Sequence, residues 1–401
     1  MSRRALIALG IGQCVNWGVL YYAFAVLLLP LEQELQQPTW LVTGAFSLAL
    51  LMSAALAPHV GRWCDRGRGA AVMQTGGFAA AAVLGLWTLV PGVAALYAAW
   101  LLLGLCMAAT LYEPAFIVVA RAYPDPQARL RALAAVTLFG GLASTIFLPS
   151  TAFLVSRFGW RMTVLTLGAA VAVSTAMTKF FTFTSVERSP QSAGSTPLLD
   201  QEAHGGIGRT RVSFVAALFA LTTLAGAGFA ANLVPALSER GLSPANAALL
   251  GGLIGVMQLP GRAILLNGAA GASAAGLLTL SLILHAAGFL GVALAPTVVL
   301  VATGTAVFAL GAGLTTLVRP HLVHEMTDGR GAGYVNGWIA RRQQFARAAG
   351  PLAIATLASA IGYAGALAVL AAFFVVCAVG WQATTLGDSP AVPRRLGNKG
   401  A

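Results

Sequence analysis

Of 401 residues, 58% are hydrophobic and only 9% are charged, with 24 basic and 12 acidic side chains. A soluble chain of this length would carry on the order of 100 charged residues. The shortfall excludes an ordinary water-soluble enzyme, a nucleic-acid-binding domain and a disordered protein, and it predicts a polytopic all-α membrane protein whose main partner is the lipid bilayer.

Apolar runs of roughly 20 residues, enough to cross a bilayer, fall at about 5–30, 40–60, 70–90, 93–122, 130–156 and 160–183. Six more fall near 212–236, 245–267, 273–294, 297–323, 333–359 and 362–386. The first follows Arg3 and Arg4 and has small residues at Ala23 and Ala25, as a signal peptide does. Its apolar run continues past them, which predicts an uncleaved first span. The organisation expected is an N-terminal six-helix bundle over 1–183, a Ser-, Pro- and Gly-containing linker over 184–211, a C-terminal six-helix bundle over 212–386 and a tail over 387–401.

The net charge of +12 would suggest a polyanionic partner if it formed one soluble patch. The basic residues are instead scattered through the polar gaps. With the amino terminus in the cytoplasm, 19 of the 24 fall on the inner side and only Arg157, Arg161 and Arg240 on the outer, leaving Arg319 and Arg347 within spans. That bias predicts a multi-pass protein of the inner (cytoplasmic) membrane with both termini in the cytoplasm. Cys14, Cys106 and Cys377 lie in apolar runs and Cys64 in a basic loop, without disulfide or metal spacing.

The two halves repeat one another. Pro30 before Glu34 is echoed by Pro235 before Glu239, an offset of 205; Pro58, Gly61 and Arg62 by Pro260, Gly261 and Arg262, at 202 and 200; Glu113-Pro114 by Arg319-Pro320, at 206; Pro149 and Gly159-Trp160 by Pro351 and Gly362-Tyr363, at 202 and 203. The order and nearly constant offset imply two similar bundles in the same orientation, an arrangement known in secondary transporters with substrate held between the halves.

With that repeat, the chain resembles the major facilitator superfamily over nearly all its length. The most specific residues are Gly61-Arg62-Trp63-Cys64-Asp65-Arg66-Gly67-Arg68-Gly69 after the second span, similar to the family's Gly-x-x-x-Asp-Arg-x-Gly-Arg signature with one residue missing before the second Gly. The resemblance implies twelve transmembrane helices in two pseudo-symmetric bundles, and a cytoplasmic gate closed by Gly61, Asp65, Arg66 and Arg68; the plainer alternative is a solvated loop that orients the protein. Two departures stand out. Trp100 occupies the place, four before Gly104, where many proton-driven members carry Arg, and the fifth span lacks the tight glycine motif of drug antiporters. Trp17-Gly18, Tyr21-Tyr22, Phe24 and Tyr112-Glu113-Pro114 are more similar to bacterial monocarboxylate and oxalate/formate type permeases.

A charge at the centre of a helix in hydrocarbon costs about 2.5–3.5 kcal/mol on insertion scales, so each marks a candidate site. Glu113 and Arg319 occupy equivalent places in the two halves, and Arg347 is close to the middle of the eleventh span. In one reading Glu113 takes and releases a proton while Arg319 holds a substrate carboxylate bidentately; in the other the two form a permanent salt bridge. Arg347 shares a helical face with Gln343 and Gln344. Gln13, Asn16 and Tyr21 recur on roughly one face of the first span, with Trp17 beside them, suited either to lining a cavity or to packing. Tyr112 and, more weakly, Asn232 and Gln258 complete the substrate-binding candidates.

No Gly-x-x-x-x-Gly-Lys-Ser/Thr loop, Cys/His metal cluster or hydrolase elbow occurs, and the only lysines are Lys179 and Lys399. No enzyme activity, cofactor or metal is therefore expected. The reading is a monomeric secondary transporter that moves a small organic solute by alternating access with proton coupling, by symport of an organic anion such as a monocarboxylate. Efflux of an amphipathic drug or metabolite is the alternative within transport, and a non-transporting receptor or assembly factor the alternative from another class.

Overall fold

Protein that must satisfy every backbone N–H and C=O without water folds as helices, and all regular structure in the computed structural model is helical among the residues it describes, 1–183, 209–266, 273–327 and 332–387. The first half comprises α1 (Arg3–Trp17), a π-helical turn (Gly18–Tyr22), α2 (Ala23–Leu35), α3 (Thr39–Trp63), a second π turn (Cys64–Arg68), α4 (Gly69–Trp87), α5 (Val93–Thr110), α6 (Tyr112–Ala122), α7 (Pro126–Gly141) and α8 (Ala143–Thr178). The second comprises α9 (Arg209–Ala231), α10 (Leu233–Glu239), α11 (Pro244–Leu266), α12 (Ala274–Leu294), α13 (Val298–Thr327) and α14 (Ala332–Gly387). Of the expected linker, 184–208 lies outside the described residues, as does 388–401 of the tail.

Eight helical stretches are long and apolar enough to cross a membrane. Three of them, Thr39–Trp87, Arg131–Phe181 and Val335–Thr384, run to 49, 51 and 50 residues, more than twice the ~20 needed. Each is broken by a glycine at positive φ: Gly67 at 85°, Gly159 at 72° and Gly362 at 73°. Each therefore holds two crossings, raising eight to eleven, and α11, with 23 residues, adds one more. The described helices are thus consistent with twelve.

The sequence repeat is also a repeat of contacts. Glu34 at the end of α2 accepts hydrogen bonds from Trp160 Nε1 at 2.6 Å and, bidentately, from Arg161 at 2.6 and 2.5 Å, directly after the Gly159 bend. Glu239 at the end of α10 accepts from the Tyr363 N–H at 3.0 Å, directly after the Gly362 bend. In both halves a carboxylate thus clasps the corner of a helical hairpin. Helix crossings repeat too: a Cβ on Gly104 would lie 2.4 Å from the Ala49 carbonyl oxygen, and one on Gly313 2.4 Å from that of Gln258. Both glycines let backbones approach where any side chain would hold them apart.

Each half has its own apolar core. In the first, Phe24 stacks on Phe46 at 4.5 Å and both meet the edge of Trp100, which is 1% exposed. Trp100 therefore serves packing at the place where a proton-driven relative would carry a charge. In the second, Phe229, Phe289 and Phe308 cluster with ring centroids 4.9 to 5.5 Å apart.

Apart from a Glu113–Gln344 bond, the hydrogen bonds between the halves among the described residues lie away from the end at which α1 begins. Thr145 Oγ1 donates to the Gly252 carbonyl at 2.7 Å, and the Leu352 N–H donates to Ser47 Oγ at 3.0 Å. Gly255 faces the Gly141 carbonyl so closely that an added Cβ would stand 2.5 Å from its oxygen. These contacts close one end of the seam and leave a space on the other side of them.

Candidate functional site

That space is a cavity of about 600 Å³ between the halves, within the range of small-molecule sites. Its lining on α7, Thr137 to Gly141, and on α14, Ala340 to Arg347, lies on the terminus-bearing side of the closing contacts. The wall from the first half is largely aromatic, with Trp17, Tyr21, Tyr22, Tyr112 and Phe116, and carries the acid Glu113. Opposite stand Arg319, Gln343, Gln344, Arg347 and the hydroxyls of Thr222, Thr223, Thr315 and Thr316.

Local chain geometry sets these groups in place. The π turn at Gly18–Tyr22 brings Tyr21 and Tyr22 together at 5.1 Å between centroids, and Trp17 meets Tyr21 at 5.2 Å and Tyr112 at 4.8 Å. Tyr112 in turn stacks on Phe116, one helical turn along α6, at 5.1 Å. Gly140 makes room for this platform, since a Cβ there would meet the Tyr112 hydroxyl at 2.1 Å. Between α5 and α6 the extended residue Leu111 breaks the helix, so Tyr112 and Glu113 open a new one facing the cavity.

The charges are not neutralised in pairs. Glu113 Oε1 accepts from Gln344 Nε2 at 2.7 Å across the seam, a neutral partner. Arg319 donates through one terminal nitrogen to Gln343 Oε1, and its Nε is buried without a partner. Gln343 passes the connection on, donating to Thr223 Oγ1 at 2.8 Å. The Arg347 guanidinium stands 5.9 Å from the Trp17 ring, crossing toward the aromatic wall, and its charge is near enough to act on that of Arg319. Among the described residues neither guanidinium forms an ion pair, and the permanent Glu113–Arg319 bridge weighed from the sequence is not formed.

Of the substrate-binding candidates, Arg319, Arg347, Trp17, Tyr21, Tyr112 and Gln344 line the cavity, and so does Gln258. Gln13, Asn16 and Asn232 do not. The break at Leu111 frees the Thr110 carbonyl at the end of α5, and Gln13 Nε2 supplies a donor at 2.7 Å, with Asn16 Nδ2 at 3.5 Å. Asn232, fully buried, bonds the Gly228 and Pro351 carbonyls at 2.9 and 3.0 Å and accepts from the Tyr363 hydroxyl at 3.0 Å, tying the α9–α10 break to α14. These amides complete broken helices. The threonines, Phe116 and His285 of the lining were not singled out from the sequence, because in apolar helices they carry no signal beyond their place on a face.

In the gate motif, Gly67 provides the left-handed residue that turns α3 into α4. Asp65, Arg66 and Arg68 are exposed, and Asp65 offers its backbone carbonyl, not its carboxylate, to Arg121 at 2.6 Å. The motif is not engaged in an ion pair among the described residues.

No curated protein matches the chain in sequence. Its fold is shared with a bacterial homologue of the human lysosomal transporter Spinster in an inward-facing, occupied conformation, at 14% identity, covering 96% of this chain and 98% of that one, with a TM-score of 0.76. A mutant of the nucleoside transporter NupG is similar at 14% identity over 94% of this chain and 98% of that one, TM-score 0.78, and the human organic anion transporter TETRAN at 16% over 95% and 99%, TM-score 0.63. The sequence profile of the Major Facilitator Superfamily matches residues 9–340. With its helical halves, its seam cavity and that match, the chain is a multi-pass membrane transporter for small molecules, not an enzyme, and belongs to the Major Facilitator Superfamily.

Proposed function

We propose that the chain moves a small organic anion of the monocarboxylate class across the cytoplasmic membrane by alternating access, coupled to protons through Glu113. The observation that carries this reading is the pair of guanidiniums, Arg319 and Arg347, without ion-pair partners in a cavity whose other wall is aromatic. A carboxylate takes the bidentate geometry of Arg319 and offsets the desolvation of both charges, while the organic body lies on Trp17, Tyr21 and Tyr112. Glu113, held by the neutral Gln344, is free to change protonation without breaking a salt bridge. With the termini in the cytoplasm, the cavity is in its inward-facing state.

The test is uptake and counterflow of labelled carboxylates in proteoliposomes. Glu113→Gln should abolish uptake driven by a proton gradient yet retain exchange at equal pH. Arg319→Lys should lose both, since a charged hydrogen bond is worth about 1.5–3 kcal/mol, or about 10- to 150-fold in affinity. Normal transport by both variants, correctly inserted, removes these residues from the mechanism. Export of amphipathic solutes with no carboxylate exchange favours the efflux alternative.

A further inference from the structure

Satisfying the Thr110 carbonyl leaves the other ends of the two amides with nothing to bond. Gln13 Nε2 must point at that carbonyl, which fixes the orientation of the amide. Gln13 Oε1 and Asn16 Oδ1 are then buried without partners, on side chains whose residues are 0% and 6% exposed. Both residues border a small cavity of about 10 Å³ in the first half, sharing no lining residue with the transport cavity and bordered also by Gln74 of α4 and by Ser174, Thr175 and Thr178 of α8.

The hydroxyls bordering this cavity have already committed their hydrogens. Ser174 and Thr175 donate to the Val171 carbonyl at 3.0 and 2.7 Å, and Thr178 to that of Ser174 at 2.8 Å. Each hydroxyl oxygen keeps only its accepting lone pairs. Gly12 and Gly77 hold these oxygens close to the neighbouring helices, for a Cβ at either would meet Thr178 Oγ1 at 2.8 Å or Thr175 Oγ1 at 2.2 Å. Gln74 brings an amide of its own but donates to neither Gln13 Oε1 nor Asn16 Oδ1, so two amide and three hydroxyl oxygens stand as acceptors around a space that is at the lower limit for one water.

We propose that this is a binding site for a dehydrated monovalent cation, with Na⁺ as the ion of matching size. A water has two hydrogens to offer five acceptors, whereas a cation is attracted to all of them at once. A divalent ion calls for carboxylate ligands, and none borders the cavity. Neutral oxygens suffice for monovalent ions in channels and transporters. A space no larger than a water favours Na⁺ over the larger K⁺. An ion on the amide oxygens polarises the amides and strengthens their N–H donation to Thr110. That carbonyl lies two residues before Tyr112 and three before Glu113, so the ion steadies the helix break from which both enter the transport cavity. The site is independent of which solute that cavity carries.

The full-length protein, purified in detergent, is tested by thermal unfolding in NaCl, KCl or choline chloride at equal ionic strength. The melting temperature should rise with NaCl, saturably, and by less with KCl. Thr178→Val removes one oxygen at nearly constant volume, Asn16→Leu removes one oxygen together with the long 3.5 Å donor to Thr110, and neither residue lines the transport cavity. Each should raise the Na⁺ concentration giving half the shift by about tenfold or more, while unfolding in choline chloride stays near wild type. If Asn16→Leu fails to fold, Thr178→Val alone carries the test. Equal melting temperatures in the three salts, or an unchanged Na⁺ midpoint in the variants, overturn the proposal and leave a site for water only.

Discussion

The closed end of the seam is held by glycine against backbone, so one added methyl group should loosen it. In Gly255→Ala the new Cβ would lie 2.4 Å from Thr145 Oγ1, 2.7 Å from Ser144 Oγ and 2.5 Å from the Gly141 carbonyl oxygen. The hydroxyls can rotate away, but the carbonyl is fixed in its helix. Ordinary contact begins at 3.4 Å, so α11 must draw back from α7 by about 0.9 Å, the difference between 3.4 and 2.5. That retreat also stretches the 2.7 Å bond from Thr145 to Gly252. Overpacking of this kind costs about 1–3 kcal/mol. It is felt only in the conformation where the halves touch here, so the balance should shift about 5- to 150-fold toward the opposite opening.

The shift can be read by labelling Ala230→Cys, a cavity position, in a background where Cys14, Cys64, Cys106 and Cys377 are replaced. A membrane-impermeant maleimide added on the side opposite the termini should react faster in Gly255→Ala. Gly85→Ala is the control, since its Cβ meets nothing within 4 Å. A folded Gly255→Ala that labels at the control rate would refute the idea that this contact keeps the cavity shut.

Two further expectations concern the scaffold. Gly159 at φ 72°, ψ 170° and Gly362 at φ 73°, ψ 163° occupy a region essentially reserved for glycine, so alanine at either should cost about 1–3 kcal/mol and lower the melting temperature in detergent; an unchanged value would remove the strain argument. Gln13→Leu orphans the Thr110 carbonyl, which the break at Leu111 leaves without a helical donor, and should cost about 1–3 kcal/mol, read as a lower melting temperature in detergent. An unchanged melting temperature would break the link between Gln13 and the Thr110 carbonyl.

Much of this molecule is legible in one dimension because lipid imposes strong rules on composition. Glu113, Arg319 and Arg347 announce themselves, since an ion among apolar residues is costly wherever the helix packs. The amides are harder to place. Gln13 lies on the same face as Tyr21 by spacing, yet it serves a carbonyl 97 residues away, and only the break at Leu111 creates that need. Asn232 is a similar case, its partners being Pro351 and Tyr363 of a distant hairpin.

By itself, then, the order of amino acids determined the spans, the duplicated halves and the three deep charges, because apolar length, periodic Pro and Gly, and isolated ions are properties of a segment. Tertiary structure decided which end of the seam is closed, that Glu113 meets Gln344 and not Arg319, and which polar residues face the cavity. The reason is physical: lipid-facing and buried faces are equally apolar in a membrane, so a helix carries little sign of what it will touch until its neighbours are in place.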